Sequence, residues 1–145
     1  MNNGEESMGT EDNKALVRRV YDAINDRSPD ELDELIATDV ASNTPFAHDA
    51  PGLEGFKQVF AAVIAAFPDY RIAIEDQIAE GDEVVTRYTA SGTQEGEFMG
   101  VAASGRRVEL VGIDIDRLAD GRIVEHWSEA GVERLGAKHG LASPR

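Results

Sequence analysis

Three observations predict an α+β fold for this 145-residue chain. Apolar residues recur at helical spacing as far as Phe67, and from Tyr70 onward they alternate with polar ones. Asp120-Gly121 then separates two alternating segments, the strongest short signal for a β-hairpin. Helices followed by a run of strands is the α+β order.

Met1 to Gly9 is polar and is expected to be a tail. Thr10 precedes an acidic first turn, Glu11 and Asp12, which suits a helix N-terminus and its dipole. Val17, Val20, Tyr21 and Ile24 follow at i, i+3, i+4 and i+7, the stripe of an amphipathic helix. Ser28-Pro29-Asp30-Glu31 reads as a capping box with proline at the first helical position. Leu32, Leu35 and Ile36 are the buried face of that short helix. Asp39 to Gly55 reads as loop, holding Asn43, Thr44 and His48. A third helix runs from about Leu53 to Phe67, with the stripe Phe56, Val59, Phe60, Val63, Ile64 and Phe67, and Pro68 ends it.

The period then becomes two. Tyr70, Ile72 and Ile74 alternate with Arg71, Ala73 and Glu75, and Gly81-Asp82 marks a turn. Strands are predicted over Glu83–Thr93, Gly96–Val101, Val108–Leu118 and Arg122–Glu129, with Ala102 to Gly105 as loop. A short helix is expected from Val132. The third helix should lie across a curved antiparallel sheet and leave a cavity for a small molecule. One domain over residues 10–141 is expected, with 142–145 as a tail.

Bulk composition excludes several roles. Hydrophobic residues make up 41%, enough for a core, but no apolar run approaches the roughly 18 residues of a membrane span. No membrane partner, export leader or anchor is expected, and a cytoplasmic location fits best. Cysteine is absent, which removes disulfides, thiolate metal sites and a cysteine nucleophile. A net charge of −14 makes nucleic acid a poor partner. Lysine occurs only at Lys14, Lys57 and Lys138, and an acidic, lysine-poor surface suits either high salt or an ordinary acidic bacterial protein.

The chemistry-bearing residues concentrate near the C-terminal hairpin. Asp114 and Asp116 share a strand face with Val108, Leu110 and Gly112, while His126 and Ser128 share a face with Val124. Asp114 reads as a pocket carboxylate in preference to one paired with Arg87 or Arg117. Asp116, nearer the turn, is expected in solvent. His126 reads equally well as a core histidine or a working group. Tyr21 is expected in the core with its hydroxyl near the cavity, and Asn43 as a turn cap or a substrate contact. His48 and His139 read as solvated. Three scattered histidines have no metal-ligand spacing, so no metal and no cofactor are expected. Ser128 lacks the sequence context of a nucleophile.

The order of VRRVYDAIN (Val17 to Asn25), DELDELIATDV (Asp30 to Val40), AFPDYRI (Ala66 to Ile72), GDEVVTRYTASGT (Gly81 to Thr93), GEFMG (Gly96 to Gly100) and GIDIDRLADGRIVEHW (Gly112 to Trp127) resembles the SnoaL-like polyketide cyclases, or ester cyclases, of the nuclear-transport-factor-like superfamily. The resemblance covers about Asn13 to Leu135. It implies a cone-shaped, cystatin-like fold whose curved sheet wraps a long helix around a mainly apolar pocket. It also implies cofactor-free ring closure by an intramolecular aldol reaction. An acidic side chain late in the last strand serves there as general acid/base, helped by a histidine on the neighbouring strand and an asparagine after the second helix. Carried over by position, the asparagine falls at or near Asn43, with a one-residue ambiguity, and the histidine position holds Asp114. The carboxylate position holds Ser128, with Glu129 next; Gln94 replaces a common histidine, and Ala102-Ala103-Ser104 replaces Pro-Pro-Thr.

A serine cannot do a carboxylate's proton transfer near neutral pH. Asp114 is therefore the expected base, its pKa raised in an apolar cone, with His126 as its catalytic partner. Asn43, Ser128, Gln94 and Tyr21 are expected to contact substrate. The expected function is acid/base chemistry of cyclase or isomerase type on a small apolar carbonyl compound. The alternatives are a non-catalytic ligand-binding protein with the same pocket, or a structural dimer. Self-association as a homodimer or higher homo-oligomer is expected, with Trp127 and Ile123 supplying the contact.

Overall fold

The computed structural model describes residues 9–43 and 51–130. The helix expected from Val132, together with His48 and His139, lies outside the described residues, as does the expected N-terminal tail apart from Gly9. The elements run α1 (Thr10–Asn25), α2 (Pro29–Leu35), β1 (Ile36–Asn43), α3 (Gly52–Ala66), β2 (Arg71–Glu80), β3 (Glu83–Thr93), β4 (Arg107–Ala119) and β5 (Arg122–Ala130). The strands form one sheet in the order β1-β5-β4-β3-β2. β2 to β5 pair antiparallel in sequence order, and β1 joins β5 in parallel.

The core lies between the helices and the inner sheet face. Val17, Val20 and Tyr21 of α1 and Leu32 and Leu35 of α2 pack against Ile72, Val84, Tyr88, Leu118 and Ile123. The period-two burial of β3 follows from a sheet covered by helices on one face only. Burying one such Leu or Ile side chain stabilises the fold by roughly 1.5–3 kcal/mol.

α1 ends in a Schellman turn: Ser28 N–H donates to Ala23 O at 2.9 Å and Arg27 N–H to Ile24 O at 3.2 Å. Arg27 takes the left-handed position (φ 58) that usually holds glycine. Its guanidinium compensates by donating to Pro68 O at 2.8 Å and Tyr70 O at 3.0 Å. Asn25 grips Ile72, its side-chain amide donating to Ile72 O and its Oδ1 accepting from Ile72 N–H, both at 2.9 Å. The start of β2 is thus fastened to the end of α1.

Three expectations about elements are corrected. Ile36–Asn43 is a strand where the sequence reads helix end and loop. It is an irregular edge strand with only Ile36 and Val40 buried, so it carries no alternating pattern to read. Gly96–Val101 is no strand; only the Phe98–Val101 bridge forms, around a tight turn with Met99 and Gly100 at positive φ. Ser28 starts α2 without a side-chain cap, since its backbone oxygen receives Glu31 N–H at 3.1 Å.

The β4–β5 hairpin turns on Asp120 (φ 54) and Gly121 (φ 76), as the Asp-Gly pair predicts. Its register then slips: Leu118 pairs with Ile123, but Arg117 pairs with Glu125, leaving Val124 as a bulge. The slip places both Ile123 and His126 on the inner face. Ile123 is buried, so it cannot share an external contact with Trp127 as expected.

Candidate active site

α3 is the wall opposite the sheet. Its stripe of Phe56, Val59, Phe60 and Val63 is only half-buried, because these side chains face a cavity of about 130 Å³ instead of filling a core. An engineered cavity of about 150 Å³ holds benzene, so this partly open space has room for at least one small ring. Val20, Ile24, Tyr70 and Ile72 extend the apolar lining. The sheet side is different in kind: Asp114, Asp116, His126, Ser128 and Ser42 line it, with Tyr21 and Tyr88 beside them.

Asp114 occupies the middle of this polar wall. Tyr21 Oη donates to its Oδ2 at 2.6 Å, while Oδ1 is buried with no hydrogen-bond partner among the described residues. An orphaned carboxylate oxygen in a cavity wall is costly unless a ligand or proton meets it. Burial drives the Asp114 pKa up, and the nearby Asp116 adds to this; the His126 cation and the hydroxyls of Tyr21 and Ser128 pull the other way without cancelling it. Ser128 is the cross-strand neighbour of Asp114, and its hydroxyl approaches both Asp114 and Tyr88.

Asp116 corrects the expectation of a solvent-facing residue. It is 2% exposed, and its Oδ1 lies 2.6 Å from His126 Nδ1. Alternation along β4 turns Asp116 inward with Asp114 and Leu118, and the bulge at Val124 sets His126 opposite it where an unbroken hairpin would set Glu125. Burial alone would lower the His126 pKa, but the charge and hydrogen bond of Asp116, with Asp114 behind it, push it up to about 9. At neutral pH His126 is therefore an imidazolium, with Nδ1–H on Asp116 and Nε2–H left for the cavity. Phe56 packs edge-on against its ring at 5.7 Å.

All three tyrosines of the chain gather here. Burial first, and Asp114 second, raise the pKa of Tyr21, Tyr70 and Tyr88, so all three remain phenol donors. Tyr88 reaches Ser128 by crossing Gly112, its partner on β4. A Cβ on Gly112 would fall within 2.4 Å of the Tyr88 hydroxyl.

Of the residues expected from sequence, Asp114, His126, Ser128 and Tyr21 meet in the cavity. Asn43 and Gln94 do not line it. Asn43 is exposed, and its neighbour Ser42 takes the inward position, which falls within the one-residue ambiguity of the comparison. Gln94 is a staple for the loop before β4: its amide donates to Gly96 O at 3.1 Å and Val101 O at 2.9 Å and accepts from Ser104 Oγ at 3.2 Å. Arg87 and Arg117, weighed as partners for Asp114, instead lie by Asp76 and Glu125. Sequence reasoning missed Ser42, Tyr70, Tyr88 and Asp116 as cavity residues. Tyr70 leads the alternating stretch with Ile72 and Ile74, and Tyr88 alternates with the buried Val84, Thr86 and Ala90 of β3, but nothing local ties either tyrosine to Asp114. Among the described residues no group of three His, Asp or Glu could hold a metal ion, and no helix is long and apolar enough to cross a membrane.

A curved sheet closed by a helix over an apolar cavity, with acid–base groups on the sheet side, defines a small-molecule protein of the nuclear-transport-factor-like class. More narrowly, the chain belongs to the SnoaL-like polyketide cyclase family, whose family model matches residues 14–133. Among solved structures it is similar to IdmH from Streptomyces antibioticus, a candidate polyketide cyclase, at 35% identity over 88% of this chain and 98% of that one (TM-score 0.77). It is also similar to TsrD from Streptomyces laurentii, at 28% identity over 94% and 100% of the two chains (TM-score 0.83). AclR from Streptomyces galilaeus, a candidate hydroxylase, is 26% identical over 93% and 100% (TM-score 0.79). Comparison with curated proteins gave no match.

Proposed function

We propose that this protein is a cofactor-independent acid–base enzyme of cyclase or isomerase type, acting on a small, mostly apolar carbonyl compound. Asp114 is the base. Its Oδ1 takes a proton from the carbon beside the substrate carbonyl, while Tyr21 fixes Oδ2. The His126 imidazolium donates Nε2–H to the carbonyl oxygen and stabilises the enolate that forms. The enolate carbon then either attacks a second carbonyl, whose oxygen takes the proton held by Asp114 as its C–O π bond breaks, or is reprotonated from Asp114 at another position. Ser128 and Tyr88 hold a second substrate oxygen, and the α3 side receives the hydrocarbon face.

The single observation that carries this reading is the unpartnered, buried Oδ1 of Asp114 in the wall of an apolar cavity. A raised pKa makes the carboxylate a stronger base than an exposed aspartate. A second reading, a non-catalytic binding protein, draws support from Ser128 at the position where the family resemblance expects a carboxylate.

Exchange of the α-protons of cyclohexanone in deuterium oxide tests the two. Acid–base chemistry predicts accelerated exchange by the unmodified protein and a loss of about 10²–10⁴-fold in Asp114→Asn. Equal rates for the two proteins would end the assignment of Asp114. No acceleration, together with a bound small molecule in native mass spectrometry, would favour the binding protein.

A further inference from the structure

Asp116, His126 and Ser42 stand in one row across three adjacent strands. Asp116 on β4 is the register partner of His126 on β5, and His126 is the register partner of Ser42 on β1. All three line the cavity. The imidazole is held by its β4 side, with Nδ1 at 2.6 Å from Asp116 Oδ1. The two ring nitrogens point well apart, so Nε2 is turned away from Asp116, and β1 on the other flank of β5 carries Ser42 in register with His126. Neighbouring strands lie about 4.8 Å apart, a span that a serine hydroxyl and an imidazole bridge by choice of rotamer. The row depends on the bulge at Val124, which replaces Glu125 with His126 opposite Asp116.

We propose that Ser42, His126 and Asp116 form a nucleophile, base and orienting carboxylate, giving the cavity an acyl-transfer activity on small uncharged esters that is separate from proton abstraction at Asp114. The roles follow the geometry of a serine triad, which is recognised by arrangement and not by sequence order. Ser42 Oγ attacks the ester carbonyl carbon and its proton passes to His126 Nε2. As the tetrahedral intermediate collapses, the C–O bond to the alcohol breaks and His126 returns the proton to the departing alkoxide. Water then attacks the acyl–Ser42 ester by the same path, releasing the acid and restoring the hydroxyl. Ester and water become acid and alcohol, with no redox partner. Ser128, one register step along the same face, offers a donor for the oxyanion. The ester is uncharged because no lysine or arginine of the described residues lines the cavity.

The groups facing His126 are Asp116 and Asp114 from β4, Tyr21 from α1 and Tyr88 from β3; α3 and β1 present the uncharged Phe56 and Ser42. His126 must be neutral to accept the serine proton, and its pKa is pushed up to about 9. Acylation should therefore climb as pH rises towards about 9 and level off above it.

The test is intact-mass and peptide mass spectrometry after brief exposure to p-nitrophenyl acetate, between neutral and alkaline pH. One acetyl group on Ser42 is expected, formed about 10²–10⁴-fold more slowly in His126→Gln. The adduct should be absent from Ser42→Ala and present again in Ser42→Cys. Circular dichroism of each variant checks that it is folded, and a fluorophosphonate probe on the unmodified protein should label the same residue. Acetyl confined to lysine or tyrosine, an adduct that persists in Ser42→Ala, or an acylation rate flat from neutral pH through 9 would each overturn the proposal. The covalent readout is independent of ketone exchange, so the two hypotheses fail separately.

Discussion

Tyr21 on α1 donates a 2.6 Å hydrogen bond to Asp114 on β4, joining residues 93 positions apart across the cavity wall. The bond holds one carboxylate oxygen still and opposes the rise in the Asp114 pKa that burial causes. Tyr21→Phe keeps the ring and removes the donor. Asp114 Oδ2 then loses its phenol donor, which should cost about 1–3 kcal/mol in chemical denaturation. The Asp114 pKa should rise further, so the acidic limb of any Asp114-dependent rate moves to higher pH. An unmoved limb would mean that the phenol does not set the ionisation of the base.

The Asp116–His126 pair sets a different pH dependence. The folded pKa of His126 is above its unfolded value near 6.5, so its contribution to stability is fully present below about pH 6.5 and is lost as pH rises through about 9. Urea denaturation from pH 6 to 10 should show that decline. Asp116→Asn removes the charge that keeps His126 protonated, so the imidazole turns neutral and the variant should lose about 1–3 kcal/mol near neutral pH, with a flatter alkaline profile.

Gly112 is the space that Tyr88 occupies. Gly112→Ala should destabilise by about 1–3 kcal/mol through overpacking, since the new Cβ would meet the phenol. Adding Tyr88→Ala should recover part of that loss. A double-mutant cycle with no coupling would show that the two residues do not share the space.

The outer sheet face carries the row Ile78, Val85, Ile115 and Trp127 across β2, β3, β4 and β5. Ile78 is 65% exposed and Ile113, one step along, 43%. The flanking rows hold Glu80, Glu83, Arg117 and Glu125 on one side and Asp76, Arg87 and Glu129 on the other, a net acidic border, so pairing through this face should strengthen as salt screens it. A second copy is the expected occupant. Light scattering should give a dimer or larger mass for the unmodified protein and a monomer for Trp127→Glu. A monomeric unmodified protein would exclude it.

The sequence carried the fold where burial has a period. β3 falls on Glu83–Thr93 because helices cover one face of it and solvent the other, and Asp120-Gly121 marks the β4–β5 turn by chemistry alone. β1 was illegible because an irregular edge strand buries too few residues to show alternation. The candidate site divides similarly. Asp114 was legible as a carboxylate among apolar strand residues. Asp116 was assigned to solvent for its nearness to the turn although it alternates with Asp114, and its pairing with His126 was illegible because counting back from the turn without the one-residue bulge pairs it with Glu125. Ser42 was hidden by the same irregularity in β1, which decides whether residue 42 or 43 looks inward.

The parallel pairing of β1 with β5 also bears on how the chain matures. Ile36 leaves the ribosome early, yet its partner Ile123 lies in the last described strand. Until that strand arrives, the polar wall lacks His126 and Ser128, and β1 has no partner in the sheet. Long-range closure of this kind is slow and leaves sticky intermediates. Nascent chains stopped short of β5 should thus be the forms that chaperones hold, and the completed hairpin the event that releases them.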